Sequence, residues 1–180
     1  MRNAKLVIFG VLLVGVLGVT LGVVHARQGR RVSPHESVSA NIDGSDMTIT
    51  YGRPSMRGRT IFGSLVPYGR VWCPGADEAT TLESTRTLHV GDLTIPAGPH
   101  TIWVLPTKDE WTFVVSKEPS GFHTNYNSSA DLGRVAFEKR AIDSPVEQLT
   151  FAIKKNSTGP GGSIVMTWET TEVSVPFTVQ

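Results

Sequence analysis

The sequence predicts an all-β protein, an antiparallel two-sheet sandwich with jelly-roll-like connections. Three observations favour this class. Apolar and polar residues alternate with a period of two along most of the chain beyond residue 35, as in strands with one buried and one solvated face. Gly, Pro and Asn turn signals divide this part into about nine or ten short strands. No segment after Ala26 shows sustained helical spacing.

The first 26 residues are a separate segment with the character of an export signal or a membrane anchor. Arg2 and Lys5 precede an uncharged stretch, Leu6 to Val24, and the small residue Ala26 follows. A basic start, an apolar middle and a small last residue are typical of a secretory signal. The apolar stretch is also close to the roughly 20 residues that span a bilayer. We expect cleavage after Ala26, and the main alternative is an uncleaved anchor through residues 6–24.

Either outcome places the rest of the chain outside the cytoplasm, in the periplasm or the medium. The third interpretation is that the apolar stretch forms a buried helix of the folded domain. Residues 27–35 are expected to form a flexible tether, and residues 36–180 a single β-sandwich domain large enough to bury a core. Without Arg2 and Lys5, the 17 basic and 16 acidic residues become 15 and 16, a net charge of −1. This near-neutral balance argues against a nucleic-acid partner.

The strands can be placed from the alternation. Residues 38–42 and 47–51 flank Asp43-Gly44, which predicts a hairpin. Later strands are expected at residues 79–90, 93–95, 100–105, 111–116, 134–138, 149–154, 163–168 and 173–179. Pro176 has no amide hydrogen, so the last strand should lie at a sheet edge or have its free side at that residue.

Residues 51–81 interrupt this pattern with a segment rich in Arg, Gly, Pro and aromatic residues. Because functional residues concentrate on loops, we expect this segment and the polar loop 117–131 to form the functional end. The candidate ligand-binding residues are Arg53, Arg59, Tyr68, Trp72, Asp77 and Glu78. Guanidinium groups bind carboxylate or phosphate through paired hydrogen bonds, so an anionic ligand is expected. Aromatic side chains could stack on a ring of that ligand.

A structural interpretation competes with this site. Glu78 would pair with Arg53 or Arg59 as a buried ion pair, and the aromatic side chains of Tyr51, Tyr68 and Trp72 would plug the end of the sandwich. Cys73 is the single cysteine, which excludes an intramolecular disulfide, and we expect it to pack as a small apolar residue rather than to react.

The same segment carries a long motif of unusual composition. It contains Tyr51-x-Arg53-Pro54, Gly58-Arg59-x-Ile61-Phe62-Gly63, Leu65-Val66-Pro67-Tyr68-Gly69-x-Val71-Trp72 and Gly75-Ala76-Asp77-Glu78-Ala79-Thr80. With Ile95-Pro96-Ala97-Gly98, Asp109-Glu110-Trp111-Thr112 and Val173-Ser174-Val175-Pro176, this motif resembles the bacterial domain of unknown function 2911 family over nearly all of the chain after the leader. The resemblance implies an exported, β-rich protein and no particular activity. Cys73-Pro74 and His100 depart from the family pattern, which weakens any role assigned to them.

No catalytic motif accompanies these residues. A serine elbow, a phosphate loop and a dinucleotide fingerprint are all missing from the sequence. His35, His89, His100 and His123 include no closely spaced pair, so we expect neither metal nor cofactor, and the catalytic residues, if any, are unknown.

Three functions remain open. The favoured one is a non-enzymatic module that binds a small ligand or an envelope component, in a pocket lined by Arg53, Arg59, Trp72 and Glu78. The second is a small periplasmic hydrolase or metal-dependent enzyme that uses Glu78 with His89 or His100. The third is a structural envelope protein whose arginine-rich loop only braces the fold. A membrane would be contacted only through residues 6–24, if they are retained.

Overall fold

The computed structural model describes residues 32–180, and these residues contain ten β-strands and one short 3-10 helix at Ser128–Ala130. The predicted leader, its cleavage point after Ala26 and most of the tether lie outside the described residues. The strands are β1 His35–Ile42, β2 Ser45–Gly52, β3 Thr81–Ser84, β4 Leu88–Val90, β5 Leu93–Ile95, β6 Gly98–Pro106, β7 Trp111–Ser116, β8 Asp131–Ala136, β9 Glu138–Lys155 and β10 Gly162–Val179. From residue 32 onward, no helix has the length and apolar character needed to cross a bilayer.

The strands form two antiparallel sheets, which confirms the predicted all-β class. The six-stranded sheet has the order β1-β2-β3-β6-β7-β8, and the four-stranded sheet has the order β5-β4-β10-β9. Apolar residues of both sheets form one main core, in which Trp111, Trp168 and Phe113 are among the largest fully buried side chains. In β9, Leu149 and Phe151 are only 0% and 4% exposed, as the predicted alternation requires.

The β1–β2 hairpin forms where the sequence predicts it. Its turn residues, Asp43 and Gly44, have φ angles of 50° and 80°, the left-handed pair that two-residue hairpin turns require. The register pairs Ile42 with Ser45 and, at the open end, His35 with Gly52. This pairing places one face of β2 in the core and fixes where the chain leaves β2 to begin the irregular segment.

The segment 79–90 is divided between the two sheets and is not one extended strand as expected. β3 ends at Ser84 and belongs to the large sheet, whereas β4 begins at Leu88 in the small sheet. The hydroxyl of Ser84 donates to the carbonyl oxygen of Arg86 at 2.7 Å. A local side-chain bond of this kind turns the backbone, and the turn carries the chain from one sheet to the other.

The last two strands are much longer than the short strands that the sequence predicts, with 18 residues each. Gly161, just before β10, packs against the backbone of Phe177 near the far end of the same strand. A straight strand would separate these positions by about 50 Å, at roughly 3.3 Å per residue, so β10 must bend. The register with β9 shifts on both sides of Glu169, whose φ is 53°. The bend therefore lies between the two predicted runs.

Pro176 lies within β10, which is an inner strand of the small sheet, so the edge position expected from the sequence is wrong. The pairing with β9 extends to Ser174, and the pairing with β4 involves Thr178 and Val179. Pro176 falls between these two ladders, and neither ladder pairs it with a residue that would accept an amide hydrogen. The alternative expectation, a free side at this residue, agrees with that position.

Residues 53–80 contain no strand and are attached to the sheets by isolated bridges. Ser55 pairs with Gln148, Trp72 with Val104, and Glu78 with Phe122. The loop is therefore held against β9, against β6 and against the loop between β7 and β8. These three attachments position the side chains of the candidate site.

Candidate functional site

Arg53 anchors the start of the loop to the scaffold. Its Nη1 lies 3.2 Å from Oε2 of Glu36, its Nε donates to the carbonyl oxygen of Leu149 at 3.1 Å, and its Nη2 donates to Oγ1 of Thr150 at 3.0 Å. These bonds join β1 to β9 through one guanidinium group. The structural interpretation paired Glu78 with Arg53 or Arg59, and neither pair forms among the described residues. Arg53 still has a structural role, with Glu36 as its partner.

Glu169 anchors the middle of the loop from the bend in β10. Its carboxylate accepts hydrogen bonds from the amides of Ile61 and Phe62, at 3.1 and 3.4 Å. The same residue has the left-handed backbone conformation at the bend of β10. Its carboxylate thus accepts hydrogen bonds from two backbone amides that belong to no strand ladder. The sequence analysis did not select Glu169.

A cavity of about 370 Å³ lies beneath the anchored loop. Its described lining residues are Val32, Ser33, Pro54, Ser55, Arg57, Arg59, Leu65, Val66, Trp72, Gly75, Ala76, His123 and Trp168. Of the six predicted ligand-binding residues, Arg59 and Trp72 line this cavity. Arg53, Tyr68, Asp77 and Glu78 do not. Arg57, Trp168 and His123 take part instead.

A tight turn supplies the two cavity arginines. The amide of Arg59 donates to the carbonyl oxygen of Met56 at 3.1 Å, and the intervening residues Arg57 and Gly58 have φ angles of 51° and 72°. Two positive φ angles are the signature of a type I′ turn. The amide of Arg57 is held by Oε1 of Glu147 at 2.8 Å. The turn is thus fixed to β9 by its backbone, and both arginine side chains extend from it.

Backbone carbonyls orient the two guanidinium groups. Arg59 donates from Nε to the carbonyl oxygen of Met56 at 2.9 Å and from Nη2 to that of Ser55 at 2.8 Å. Arg57 donates from Nη2 to the carbonyl oxygen of Val32 at 3.1 Å. Within residues 32–180, the ion pairs of the protein do not involve either arginine. Two oriented positive charges therefore line the cavity without a carboxylate from this part of the chain.

Aromatic rings form the apolar part of the wall. Trp72 stacks on Trp168 with ring centroids 6.0 Å apart and an interplanar angle of 18°. Phe62 packs edge-on against both rings and against Trp111, which links the wall to the core. Trp72 is half-buried, and its backbone exchanges two 2.8 Å hydrogen bonds with Val104. The ring is therefore rigidly placed and still reaches the cavity.

The expected aromatic plug is correct for Tyr51 and incomplete for the other residues. Tyr51 is buried, packs edge-on against Phe151 at 5.0 Å, and accepts the amide of that residue on its hydroxyl at 3.2 Å. Tyr68 instead remains 37% exposed and lies over Gly63. Leu65, a cavity residue, is 46% exposed. The aromatic and apolar residues of the segment are thus divided between the core and an accessible rim.

His123 reaches the cavity from the loop between β7 and β8. Its amide and its Nδ1 both lie close to the carbonyl oxygen of Asp77, at 3.0 and 2.6 Å. Asp77 has a φ of 66°, a left-handed conformation that Asp tolerates better than most residues. The backbone of Asp77 therefore orients the imidazole, which is a different role from the ligand-binding one predicted for its side chain.

The same loop is attached further along by Tyr126. Its hydroxyl lies 2.8 Å from both carboxylate oxygens of Asp131, and Nη2 of Arg134 donates to that hydroxyl at 2.7 Å. Partial burial and then the acceptor Asp131 raise the pKa of Tyr126, so the phenol keeps its proton and donates it. The ring also packs against Trp103, with centroids 5.1 Å apart. These contacts hold the loop that carries His123 in one position.

Glu78 contacts a histidine, but not one of the two predicted. Its Oε2 lies 3.5 Å from Nδ1 of His35. His89 is in β4, where its ring contacts Thr94 and Gln180, and His100 is buried against the carbonyl oxygens of Pro96 and Ser116. The predicted pairing of Glu78 with His89 or His100 is therefore wrong, because the ring nitrogens of both histidines bond to other groups.

The sulfur of Cys73 is the remaining reactive group of this segment. Cys73 is 1% exposed, and its sulfur accepts the amide of Thr80 at 3.3 Å. Burial raises the pKa of Cys73 to about 11, so the thiol stays protonated and unreactive at neutral pH, as expected. In the described part of the chain, no group of three or more His, Cys, Asp or Glu side chains is arranged to hold a metal ion.

Comparison with known proteins gives one family. A family model described as "Protein of unknown function (DUF2911)" matches residues 33–177. No curated protein and no solved structure matches the chain. The matched range includes both sheets and both arginines of the cavity.

Proposed function

The chain belongs to the DUF2911 family, whose model covers residues 33–177, and we propose that it is a non-enzymatic binding module for a small anionic ligand. The ligand binds in the cavity lined by Arg57, Arg59, Trp72 and His123. The observation that carries this proposal is the pair of oriented guanidinium groups, which have no carboxylate partner within residues 32–180.

The arginines favour a carboxylate or phosphate group. A guanidinium group presents several donors in a plane and binds such anions through parallel hydrogen bonds. Backbone carbonyls already hold one edge of Arg59, so its remaining donors are oriented before a ligand arrives. Preorganised donors lose little side-chain entropy on binding, which increases affinity.

The aromatic wall favours a flat ring on the same ligand. Trp72 and Leu65 present an apolar surface that is backed by the buried Trp168 and Val66, and ring stacking is worth roughly 0.5–1.5 kcal/mol beyond the buried area. A cavity of about 370 Å³ is within the range of roughly 300–1,000 Å³ that small-molecule sites occupy. We therefore infer a ring-bearing anion of modest size.

The two competing functions fit the cavity less well. Acid–base catalysis usually needs two titratable groups that converge on the substrate, whereas the described wall contains His123 and no Asp, Glu or Cys side chain. A purely structural role would have Arg57 and Arg59 partly buried and paired with a carboxylate, as Arg53 is. Arg53 supports that role for its own part of the loop, and the cavity supports binding for the rest.

Export is the second part of the proposal. The charge and hydropathy of residues 1–26 support it, because a basic start, an apolar stretch and Ala26 are typical of a secretory signal. The module would then meet ligands of the periplasm or the cell envelope. Fractionation of cells that produce the full chain tests this location, and recovery in the cytoplasm would contradict it.

Calorimetric titration with benzoate tests the binding site. Benzoate has a ring and a carboxylate, and benzyl alcohol is its uncharged counterpart. We expect benzoate to bind more tightly, and Arg59→Gln to weaken it at least about tenfold, because a hydrogen bond to a charged group is worth roughly 1.5–3 kcal/mol.

The control variant is Arg70→Gln, which removes the same charge from an exposed position in the same loop, outside the cavity lining. It should bind benzoate as the unchanged protein does. Equal loss in both variants would mean that only net charge matters, and no binding of benzoate at all would contradict the proposed function.

A further inference from the structure

His123 provides a polar atom in the cavity that the proposed function does not yet use. Its Nδ1 is 2.6 Å from the carbonyl oxygen of Asp77. A carbonyl oxygen only accepts hydrogen bonds, so Nδ1 must carry a proton. In the neutral imidazole the second ring nitrogen, Nε2, then has a lone pair and acts as an acceptor.

The position of this acceptor is fixed from two sides. The carbonyl oxygen of Asp77 receives both the backbone amide and Nδ1 of His123, so the ring cannot rotate without breaking a hydrogen bond. The ring also contacts Phe122, with centroids 4.6 Å apart. Across residues 32–180, no side chain or backbone group forms a hydrogen bond with Nε2. Because His123 lines the cavity, its neutral ring offers an acceptor there that is opposite in character to the arginine donors.

We infer that the ligand of this cavity carries a hydroxyl group that donates to Nε2 of His123, in addition to its anionic group, so that its class is a cyclic hydroxy acid. The inference rests on the proposed function. A ligand that lacks the hydroxyl would cover Nε2 and leave the acceptor desolvated without a partner, which weakens binding. His123 is then a specificity-determining residue, because it separates hydroxylated rings from plain ones.

A cation is a poorer occupant for the same atom. A bound metal ion needs several protein ligands, and the described wall has no Asp, Glu or Cys to join His123. Arg57 and Arg59 line the same cavity and repel a positive ion. A neutral donor on an otherwise anionic ligand satisfies both parts of the wall.

The test compares 4-hydroxybenzoate with 4-methoxybenzoate by calorimetric titration. Both have the ring and the carboxylate, but the methoxy group cannot donate a hydrogen bond. The 3-hydroxy and 3-methoxy isomers extend the comparison to a shorter spacing between the two groups. We expect the protein to prefer the hydroxyl compound of at least one pair by about fivefold, the usual net effect of one hydrogen bond.

His123→Asn shows whether this preference comes from Nε2. The shorter asparagine amide can still donate to the carbonyl oxygen of Asp77, and its own carbonyl oxygen does not extend as far as Nε2 of the histidine, so the acceptor at that position is lost. The variant should lose the preference, so that the hydroxyl and methoxy compounds of the pair bind it with similar affinity. His89→Asn, in β4 and outside this cavity, should keep the preference.

Two failures would have different meanings. If none of the benzoates binds, or if binding does not depend on Arg59, the proposed function is wrong. If they bind through Arg59 but hydroxyl and methoxy compounds bind equally, or the preference survives His123→Asn, only the hydroxyl inference is wrong. If the variant does not fold, equal binding of the hydroxyl and methoxy compounds by the unchanged protein still contradicts the inference.

Discussion

Two cavities of the domain differ in how the fold uses their polar groups. The first, the arginine cavity, is lined by Arg57, Arg59 and His123, and its described ion pairs and hydrogen bonds leave Nε2 of His123 available. The second, the turn depression, has about 280 Å³ and is lined by His89, Gly91, Asn156, Pro176, Phe177 and Thr178. There both ring nitrogens of His89 are already bonded, to Thr94 and Gln180.

The backbone shows the same difference. Beside the turn depression, the amide of Asn156 donates to the carbonyl oxygen of Gly161, and the side chain of Asn156 donates to that of Pro160. The amide of Gly161 donates to the carboxylate of Asp43. The polar groups there close a turn. At the arginine cavity, Glu169 and Arg53 fix the loop to the strands, and the side chains that line the cavity keep hydrogen-bonding groups that a ligand can bind. A cavity alone is therefore a weak indicator of function, and the state of its polar groups is a better one.

Gly161→Ala should give the largest effect and tests the closed packing at the turn depression. Gly161 has a φ of 81°, and an added Cβ would collide with the carbonyl oxygen of Phe177. The left-handed conformation costs roughly 1–2 kcal/mol, and overpacking adds typically 1–3 kcal/mol. We expect a total loss of roughly 2–5 kcal/mol in the free energy of unfolding, measured in urea.

Gly159→Ala is the matched control in the same turn. Gly159 has a φ of 75°, and nothing lies within 4 Å of an added Cβ. This variant should lose only the conformational term of roughly 1–2 kcal/mol. Equal losses in the two variants would show that the close approach of Gly161 to β10 does not exist, and with it the bend of that strand.

Glu169→Ala should give an intermediate effect and tests how the arginine cavity is held open. The change leaves the amides of Ile61 and Phe62, both in buried residues, without their acceptor. A buried donor left unsatisfied costs about 1–3 kcal/mol. We expect a loss in that range in urea unfolding, together with weaker benzoate binding, because the loop that carries Arg57 and Arg59 loses its support.

Glu172→Ala is the control for this change. Glu172 lies in the same strand, and its carboxylate, which is 14% exposed, pairs at 2.6 Å with Arg140, whose side chain is 65% exposed. An ion pair with one partner this accessible to solvent is worth at most about 1 kcal/mol, and benzoate binding should be unchanged. If Glu169→Ala is as mild as Glu172→Ala, the loop is not held from the β10 bend.

Local sequence patterns account for most of the strands and for the location of the irregular segment. The β1–β2 hairpin was predictable because alternation and Asp43-Gly44 are adjacent signals. The partners of the site residues were not predictable. Arg53 bonds to residues up to 97 positions away, and Glu169 reaches Ile61 across 108 positions. Such contacts depend on the bend in β10, for which the residues near Glu169 provide no turn signal of the Gly or Pro type.

The same limit explains the choice of candidate residues. Arg59 and Trp72 were predicted because unusual composition marks their segment. His123 lies in a polar loop with no motif, and its importance comes from its contact with Asp77, 46 positions away. Glu78 appeared chemically suited to a site, and its actual neighbour His35 is a residue that no periodicity connects with it. The local sequence shows which residue types are suited to a site, but the orientation of their side chains depends on the fold.

Asp43→Asn should give the smallest effect. It tests whether the charge of Asp43 helps to close the turn beside the turn depression. The amide of Gly161, 2.6 Å from Oδ2, and then Lys155 hold the pKa of Asp43 below its usual range. A carboxyl whose pKa is lower in the folded state stabilises the protein above its unfolded pKa of about 4. That stabilisation disappears as the pH falls through the folded pKa.

Asparagine tolerates the positive φ of this turn position, so the substitution mainly removes the charge. The melting temperature of Asp43→Asn should be slightly lower than that of the unchanged protein near pH 7, and the gap should close as the pH falls below about 4. Arg59→Gln should show no such pH-dependent gap, because it does not contact this turn. A difference in melting temperature that stays constant from pH 7 to pH 3 would indicate that the charge of Asp43 does not stabilise the fold. The contrast between the two cavities would then rest on His89 and Gly161 alone.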